Sequence, residues 1–309
     1  MSKDAIVTGG AGFIGSHVVD SLLGDGYEVT VVDDLSSGKA ERVDPRATLH
    51  EIDIVDLDAL GALFEQVAPQ AVYHLAAQAS VVASVADPGR DCDVNVRGTL
   101  NVLELSGKGG APVVFTSTGG ALYGDAAPRP TPEDCIPAPL SPYGASKWAA
   151  EAYVRTWALS SGVAHAVCRL GNVYGPRQSP HGEAGVVAIF SGCIEEGRAP
   201  ILYGHGKPTR DYIYVSDVVS ALRAACGKGG VYNVATGVET SVLEIWHGLS
   251  ETAGTDLEPK LADLRPGELQ HSCLDTARAE AELGWRAEVP IGEGLALTYH
   301  ALVEEAKND

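Results

Sequence analysis

Two side chains in the middle of the chain have the types and spacing required for proton transfer. Tyr143 and Lys147 are four residues apart, so a helix would place them on one face. A phenol acts as a general base near neutral pH only when its pKa falls well below the ordinary value of about 10. An ammonium about 4 Å away contributes about 4 kcal/mol at an effective dielectric of ~20, which matches a pKa near 7. The pair is therefore a candidate acid–base centre, although surface helices also show this spacing.

A glycine-rich segment near the N-terminus has the spacing of a phosphate-binding turn. Gly9, Gly12 and Gly15 follow an apolar run at 5–8 and precede an amphipathic segment at 13–25. In such a turn the first glycine makes a tight bend, the second admits a pyrophosphate, and the third allows close packing of helix on strand. The N–H groups at the start of the helix favour an anion at the same place. The segment predicts a dinucleotide site.

An acidic residue occurs at the distance expected for ribose recognition. Asp33 closes the second apolar run, 33 − 15 = 18 residues after Gly15, near the roughly 20 expected. A carboxylate there accepts a hydrogen bond from a ribose 2′-hydroxyl and repels a 2′-phosphate. No basic residue follows at once, because the next positions are Asp34, Leu35 and Ser36. We therefore expect NAD rather than NADP.

The elements that must position these residues alternate between strand and helix. Strands are predicted at 5–8, 28–32, 48–51, 71–75, 112–116 and 164–169, and helices at 13–25, 57–67, 91–106 and 142–161. This alternation predicts an α/β fold with a Rossmann-like, doubly wound parallel sheet. Residues 1–170 would bind the dinucleotide, with 213–236 packing back on the sheet. Residues 171–212 and 237–309, with helices near 242–253 and 291–305, would form a smaller C-terminal α/β substrate lobe.

The composition of the chain excludes several classes of function. The 309 residues include 22 Lys plus Arg and 41 Asp plus Glu, a net charge of −19 that disfavours nucleic acid and anionic membranes. No secretory signal and no membrane span are expected from the apolar runs. The six cysteines form no CxxC pair, and the nine histidines form no tight metal-ligand cluster. We expect a cytoplasmic protein without a metal site.

Taken together, these motifs resemble the extended, sugar-nucleotide-modifying branch of the short-chain dehydrogenase/reductase superfamily. Within that branch the chain is most similar to the UDP-glucose (UDP-galactose) 4-epimerase family. The resemblance extends over essentially the whole chain. Further markers are the segments 74–78, 117–120, 169–175, 210–212 and 265–267.

The resemblance implies a chemistry and a set of cofactor contacts. Tyr143 would take the proton of the sugar 4-hydroxyl, Lys147 would lower its pKa and hold the nicotinamide ribose, and Thr118 would bond the same sugar oxygen. Hydride would leave C4 for NAD and return to the other face of the resulting ketone. The implied cofactor-binding residues are Gly9, Gly12, Phe13, Ile14, Gly15, Asp33, Asp34, Ser36, Ser37, Gly38, Asp53, Ile54, Leu75, Ala76, Ala77, Gln78, Asn95, Thr116, Tyr143 and Lys147.

The resemblance also implies how the UDP-sugar is held and where this chain departs from the family. The implied substrate-binding residues are Thr118, Asn172, Arg210, Arg265, Glu268 and Ser272. Leu170 replaces a frequent tyrosine beside the cofactor, and Glu268 replaces a frequent aspartate. Ser272 lies where the family limits space around the sugar 2-substituent, and since serine is small, N-acetylated UDP-hexosamines are expected to fit. Arg210 beside Asp211 could instead be a surface ion pair.

Other readings of the same residues stay open. Dehydratases and decarboxylases of this branch generally carry an acid just after the catalytic Ser or Thr, whereas Thr118 is followed by Gly119 and Gly120. A UDP-glucuronate 4-epimerase is harder to exclude, since Thr116, Ser117 and Thr118 could receive a carboxylate. A non-enzymatic NAD-sensing module would usually lack the tyrosine–lysine pair. By family analogy the helices at 142–161 and 91–106 would form a homodimer interface.

Overall fold

The computed structural model describes residues 3–180, 185–265 and 269–308. The strands in chain order are β1 (Lys3–Thr8), β2 (Tyr27–Asp33), β3 (Thr48–Glu51), β4 (Ala71–His74), β5 (Val113–Thr118), β6 (Ala166–Leu170), β7 (Asn172–Tyr174), β8 (Ile201–Tyr203), β9 (Thr209–Arg210), β10 (Tyr212–Tyr214), β11 (Gly230–Val234), β12 (Thr240–Ser241) and β13 (Lys260–Ala262). Within the described residues, seven of them form one parallel sheet in the order β3-β2-β1-β4-β5-β6-β11. The remaining strands pair as β7 with β10, β8 with β13, and β9 with β12.

The helices connect these strands and cover both faces of the sheet. In chain order they are α1 (Phe13–Gly24), α2 (Leu57–Val67), α3 (Val81–Ala86), α4 (Pro88–Cys92), α5 (Thr99–Gly109), α6 (Pro142–Ser161), α7 (Val186–Glu195), α8 (Val215–Ala225), α9 (Val242–Ala253), α10 (Ala277–Leu283) and α11 (Ile291–Asn308). The strand order reverses between β1 and β4, and in such sheets ligands bind outside the carboxyl ends of the strands at that reversal. The predicted α/β class with a Rossmann-like sheet is confirmed.

The core follows the alternation of side chains along the central strands. Ala5 and Val7 of β1 point to one face, which α1 and α8 cover, and Ile6 points to the face covered by α2, α5 and α6. Val18 of α1 and Leu103 of α5 are fully buried in these two layers. Each such side chain contributes about 1.5–3 kcal/mol by leaving water, so the sheet provides a rigid base for the loops at its edge.

The C-terminal part of the chain has a hydrophobic cluster of its own. Phe190 of α7 meets Trp246 of α9 edge to face at 5.7 Å, and Leu202 and Leu295 are buried in the same cluster. In contrast, α8 packs on the central sheet and β11 extends it beside β6. Among the described residues, no helix is both long and apolar enough to cross a membrane.

The predicted helix over 91–106 contains a π-helical turn, and the helices α3, α7 and α10 and the short strands β7 to β10, β12 and β13 were not predicted. The expected continuous helix over 91–106 is instead α4, a π-helical turn (Asp93–Gly98) and α5. The Thr99 hydroxyl donates to the carbonyl of Asn95 at 2.7 Å within this turn, and the Asn95 side chain bonds to other segments. These tertiary bonds favour the wider turn, which is typical of functional sites. Helices α3, α7 and α10 are short segments that periodicity did not reveal.

Candidate active site

The glycine loop between β1 and α1 is shaped by close backbone contacts. Gly9 has φ +72°, and a Cβ there would lie 2.6 Å from the backbone nitrogen of Ala76. A Cβ on Gly15 would overlap the carbonyl oxygen of Gly9. Gly12 is the N-cap of α1 and carries no side-chain cap, which leaves the start of the helix open toward a ligand. The loop has the tight turn and the close helix–strand packing that its spacing predicts.

Asp33 joins the end of β2 to this loop. Its buried carboxylate accepts hydrogen bonds from the backbone N–H groups of Ala11 at 2.9 Å and Leu35 at 3.0 Å. Burial raises the pKa of Asp33, and the two N–H donors partly oppose that effect. A Cβ on Gly38 would lie 2.7 Å from a carboxylate oxygen of Asp33, so the backbone of Gly38 packs closely against this carboxylate.

Below the loop, a buried histidine ties β1 to β4. His74 is fully buried between the hydroxyls of Thr8 at 2.7 Å and Thr99 at 3.0 Å. Because the Thr99 hydroxyl donates to the Asn95 carbonyl, the Nε2–H of His74 donates to Thr99, and Nδ1 accepts from Thr8. Burial lowers the pKa of His74 to about 3. The imidazole is thus a neutral connector between two strand ends.

A cleft of about 650 Å³ runs along the carboxyl ends of these strands. The residues expected to bind the cofactor that line it are Gly9, Gly12, Phe13, Ile14, Gly15, Asp33, Asp34, Ser36, Ser37, Asp53, Ile54, Leu75, Ala76, Ala77, Gln78, Thr116, Tyr143 and Lys147. We call the part formed by Thr116, Ser117, Tyr143 and Lys147 the Tyr143 end. The opposite part, formed by Asp34, Asp53, Ile54 and Arg90, is the Asp53 end. The volume of the whole cleft is in the range typical of small-molecule sites.

Gly38 and Asn95 were expected to bind the cofactor, but neither lines the cleft. The Asn95 side chain accepts from the backbone N–H of Gln78 at 2.9 Å and donates to the carbonyl of the same residue at 3.0 Å. It also donates to the Ser146 hydroxyl at 3.0 Å and to the Asp91 carboxylate at 3.2 Å. Asn95 therefore holds the backbone of Gln78 in place in the wall of the cleft. It does so from within the π-helical turn.

The Tyr143 end brings together the residues expected to transfer a proton. Helix α6 begins with Pro142 after the N-cap Ser141, whose hydroxyl accepts from the Gly144 N–H at 3.2 Å. This start places Tyr143 in the first turn, and the Thr118 hydroxyl is close enough to lower the pKa of Tyr143. Lys147 follows one turn later, so Tyr143 and Lys147 both line one end of the cleft, with Thr118 beside them.

The electrostatics of this trio differ from the expectation. Burial raises the pKa of Tyr143 to about 12, and the hydrogen bond from Thr118 only partly opposes it. The protein without a cofactor does not show the expected lowering of the Tyr143 pKa by Lys147. Lys147 is 3% exposed, its ammonium lies 4.3 Å from the centre of the Phe115 ring, and burial lowers its own pKa to about 8. Burial is the largest cause of both shifts, and neither group contributes to the pKa shift of the other.

Seven residues that sequence reasoning did not assign to the cofactor also line the cleft: Ile52, Ala79, Ser80, Arg90, Val94, Ser117 and Leu170. The hydroxyl oxygen of Ser117 is buried and has no hydrogen-bond partner among the described residues. Arg90 reaches the Asp53 end from α4, and Leu170 contributes an aliphatic side chain from β6. The position of Ser117 between Thr116 and Thr118 was a usable signal, whereas nothing local to Arg90 indicates its destination.

Of the residues expected to hold the substrate, Asn172, Arg210, Arg265 and Ser272 do not line this cleft and belong to the C-terminal half, whereas Thr118 ends β5. The guanidinium of Arg210 donates to the carbonyls of Thr209 and Leu269, each at 2.8 Å. It makes no pair with Asp211, whose buried carboxylate accepts from the N–H groups of Thr236 and Gly237. The alternative of a surface ion pair between Arg210 and Asp211 is therefore wrong.

Two of the other expected substrate residues, Asn172 and Ser272, lie beside Gly120 in the loop that follows Thr118. The guanidinium of Arg265 lies 3.9 Å from the centre of the Tyr203 ring. The side-chain oxygen of Asn172 faces Gly120. Ser272 shares a small pocket with Gly120, and Glu268 lies outside the described residues.

A buried ion pair anchors α6 to the sheet. Two nitrogens of the Arg169 guanidinium contact the Glu151 carboxylate at 3.0 and 2.6 Å, and both side chains are at most 7% exposed. A third nitrogen donates to the Tyr123 hydroxyl. Because Glu151 is one turn beyond Lys147, the pair fixes the helix that carries the proton-transfer residues.

The described residues contain no group of three or more His, Cys, Asp or Glu side chains that could hold a metal ion. The acidic side chains of the cleft are at the Asp53 end and beside the glycine loop, and their carboxylates engage N–H and guanidinium donors. The arrangement can bind a dinucleotide and move a proton at its Tyr143 end.

Comparisons with known proteins agree with this chemistry. Residues 5–235 match the family model described as the NAD dependent epimerase/dehydratase family. A UDP-glucose 4-epimerase of Mycolicibacterium smegmatis is 45% identical over 302 residues, which cover 95% of this chain and 96% of that protein. The structure is similar to that of a Thermotoga maritima UDP-glucose 4-epimerase with UDP-glucose, with a TM-score of 0.96, 46% identity and coverage of 98% and 99% of the two chains.

A second solved structure, a Thermus thermophilus UDP-glucose 4-epimerase in complex with NAD, gives a TM-score of 0.90 at 42% identity, with coverage of 97% of this chain and 99% of that one. The family match and these similarities extend over most of the chain. The protein belongs to the NAD-dependent epimerase/dehydratase family of extended short-chain dehydrogenases/reductases.

Proposed function

We propose that this protein catalyses the NAD-dependent 4-epimerisation of a UDP-hexose through a transient 4-keto sugar. The observation that carries the proposal is the presence of Tyr143 and Lys147 together at one end of a dinucleotide cleft, with Thr118 close enough to lower the pKa of Tyr143. A sugar alcohol at that position meets a proton acceptor beside the site of a hydride acceptor. The similarity to UDP-glucose 4-epimerases over nearly the whole chain supports UDP-glucose and UDP-galactose as substrates.

The residues of the cleft fit NAD as the cofactor. Backbone crowding at Gly9 and Gly15 forms a cradle that a Cβ would fill, and the open start of α1 provides N–H donors for a pyrophosphate. Asp33 is oriented by two backbone donors and would accept from a ribose hydroxyl. The unpartnered Ser117 hydroxyl would gain a partner from a ligand at the Tyr143 end. The other lining residues would contact NAD along the cleft, with Asn95 and Gly38 acting through Gln78 and Asp33.

The residues of the Tyr143 end divide the proton chemistry among them. When bound, NAD supplies a reversible hydride acceptor and, in its oxidised form, a positive charge. Tyr143 takes the proton of the sugar 4-hydroxyl and returns it after the sugar has turned, while Thr118 hydrogen-bonds the same oxygen. Since burial raises the pKa of Tyr143, Lys147 and the oxidised pyridine ring together must supply the opposing charge. Lys147 would also hold the nicotinamide ribose.

The UDP part would be held by the C-terminal half. Arg210 and Arg265 would bind the diphosphate, for which the guanidinium fork is suited. Asn172 and Glu268 would bind the rest of the nucleotide. Ser272, beside the loop that follows Thr118, has a small side chain, so UDP-GlcNAc and UDP-GalNAc belong to the proposed substrates.

Two alternatives within the family are separated by specific groups. A dehydratase needs an acid near Thr118, yet the carboxylates among the described lining residues are Asp33, Asp34 and Asp53, away from that end. A UDP-glucuronate 4-epimerase is the second candidate, because the buried Ser117 hydroxyl could receive a carboxylate. A uronate substrate therefore belongs in the test.

The proposed division of the chain into an NAD-binding part and a sugar-nucleotide-binding part follows its packing. Residues 1–170 with 213–236 would bind NAD, and 171–212 with 237–309 would bind the sugar nucleotide. The pairing of β11 with β6 and the contact of α8 with the sheet support this assignment. The six cysteines are unpaired, which supports a reducing, cytoplasmic location.

A homodimer is also part of the proposal. The exposed apolar side chains Val82 and Val85 of α3 lie near α6, where Trp148 and Leu159 are also exposed. Apolar surface of this kind marks an interaction site. We expect light scattering to give twice the monomer mass, and Val82→Glu with Leu159→Glu to shift it toward the monomer. An unchanged mass would contradict this interface.

Product analysis with three substrates tests the proposed function. Purified protein is incubated with UDP-glucose, UDP-GlcNAc or UDP-glucuronate, and the products are separated by chromatography. We expect UDP-galactose and UDP-GalNAc, with no product from Tyr143→Phe. Conversion of UDP-glucuronate alone would identify the second candidate, a dehydrated or decarboxylated product would identify the related reactions, and bound NAD without any product would favour a sensor.

A further inference from the structure

Arg90 bridges the two walls of the cleft at the Asp53 end. Its guanidinium donates to the Asp53 carboxylate at 3.0 Å and lies 3.9 Å from that of Asp34. Asp34 follows β2 and Asp53 follows β3, whereas Arg90 belongs to α4, on the opposite wall. The three side chains line the same part of the cleft. Opening this end therefore separates a guanidinium from two carboxylates.

The Asp53 end is the part of the cleft that would receive adenosine. The redox end of a dinucleotide must lie beside Tyr143, and the glycine loop between the two ends takes the pyrophosphate. Asp33 then meets the ribose beyond the pyrophosphate, and Asp34 and Asp53 lie further along. We propose that Arg90 is a cofactor-retention residue, whose bridge to Asp53 closes the cleft over the adenosine of NAD.

Nearby hydrogen bonds orient both side chains of the Arg90–Asp53 pair. The Asp87 side chain caps α4 by accepting from the Arg90 N–H at 2.9 Å, and Pro88 occupies the first turn. The next residue, Asp91, is buried and accepts from the side chain of Gln78 at 2.9 Å. On the other wall, the second carboxylate oxygen of Asp53 accepts from the Val55 N–H at 2.9 Å. Both ends of the bridge are thus fixed by the backbone around them.

Charge gives a second reason for Arg90 at this place. Asp34 and Asp53 with Arg90 give the end a formal charge of 1 − 2 = −1, and loss of the arginine would make it −2. A more negative end repels the pyrophosphate. The Arg90 and Asp53 side chains are 46% and 35% exposed, so the bridge is screened by water and salt. A modest, salt-dependent effect is expected.

NAD release from the intact protein measures this effect directly. Protein loaded with radiolabelled NAD is diluted into excess unlabelled NAD, and the bound label is followed on filters. We expect Arg90→Ala to release NAD about two- to five-fold faster than the parent, as for an exposed pair. Added salt should speed release from the parent and narrow the difference. Arg97→Ala is the matched control, since Arg97 forms an exposed pair with Asp93 in the same segment.

A double variant separates the bridge from net charge. Arg90→Ala with Asp34→Asn has the parent's formal charge at this end but no bridge, and its release rate is compared with that of Asp34→Asn alone, which measures the contribution of Asp34 itself. Continued fast release supports the bridge, whereas return to the parent rate, or an unchanged rate in Arg90→Ala alone, overturns it. The inference depends on the bound cofactor and not on the sugar, so release without sugar and product formation with sugar can fail independently.

Discussion

The two ends of the cleft are built in opposite ways. At the Tyr143 end, Lys147 is 3% exposed and burial raises the pKa of Tyr143 to about 12. At the Asp53 end, Arg90 and Asp53 form a pair in which the side chains are 46% and 35% exposed. The first end displaces pKa values by desolvation, and the second keeps its charges in contact with water.

This difference separates the end proposed to transfer a proton from the end proposed to retain the cofactor. A buried group responds strongly to each nearby charge, because the effective dielectric around it is low. An exposed pair responds weakly and depends on salt. Substitutions should therefore have large effects near α6 and small effects at the Asp53 end.

Removal of the phenol should give the largest effect. Tyr143→Phe removes the proposed proton acceptor, and we expect epimerisation to fall by about 10²- to 10⁴-fold. Bound NAD, measured after gel filtration, serves as the control and should be retained. Epimerisation at the parent rate by a loaded variant would contradict the assignment of Tyr143.

The buried ion pair should have the next largest effect, on stability. Glu151→Gln leaves the Arg169 guanidinium buried without its carboxylate, and we expect the free energy of unfolding to fall by about 3–5 kcal/mol. Denaturant titration of the unloaded protein measures this. The matched control is Glu196→Gln, which breaks an exposed pair with Arg198 and should change stability by less than about 1 kcal/mol. Equal losses in the two variants would contradict the expected difference between a buried and an exposed ion pair.

A pH series should isolate the desolvated ammonium. The pKa of Lys147 is about 8 in the folded protein against 10.5 unfolded, so the unfolded chain binds the extra proton between these values and stability rises with pH there. Below pH 8 the full penalty applies. Lys147→Met should therefore gain up to about 3 kcal/mol over the parent at pH 7, a gain that vanishes by about pH 10.5. Lys108→Met, at an exposed lysine on α5, should show no such pH dependence.

The smallest effect should be a change in substrate preference. Ser272→Tyr fills space beside Gly120 without touching the Tyr143 end, and we expect turnover of UDP-GlcNAc to fall by about tenfold relative to UDP-glucose. The measurement is kcat/KM for both sugars in both proteins. An equal loss for the two would show that this position does not sense the 2-substituent.

Local patterns in the sequence were sufficient for much of the fold and part of the site. The Gly9-to-Gly15 spacing, the acid at Asp33 and the four-residue step from Tyr143 to Lys147 each reflect geometry within a single turn or helix. Short apolar runs likewise predicted the parallel strands, because a strand buried on both faces has few other compositions.

Other features depend on contacts that no local pattern records. Arg90 meets Asp53 across 37 residues, and Arg169 meets Glu151 only after α6 packs on the sheet. The π-helical turn follows from side-chain bonds of Asn95 to distant segments. The pKa of Tyr143 was expected to fall because attraction was weighed without desolvation.

The neutral imidazole beneath the glycine loop has a consequence for acid tolerance. His74 keeps its single proton down to a pKa of about 3, so the link from Thr8 to Thr99 is unchanged throughout the range in which ordinary histidines switch. The spacing between the first and fourth strands is therefore insensitive to mild acidification. Any loss of turnover between neutrality and pH 5 must originate in other groups.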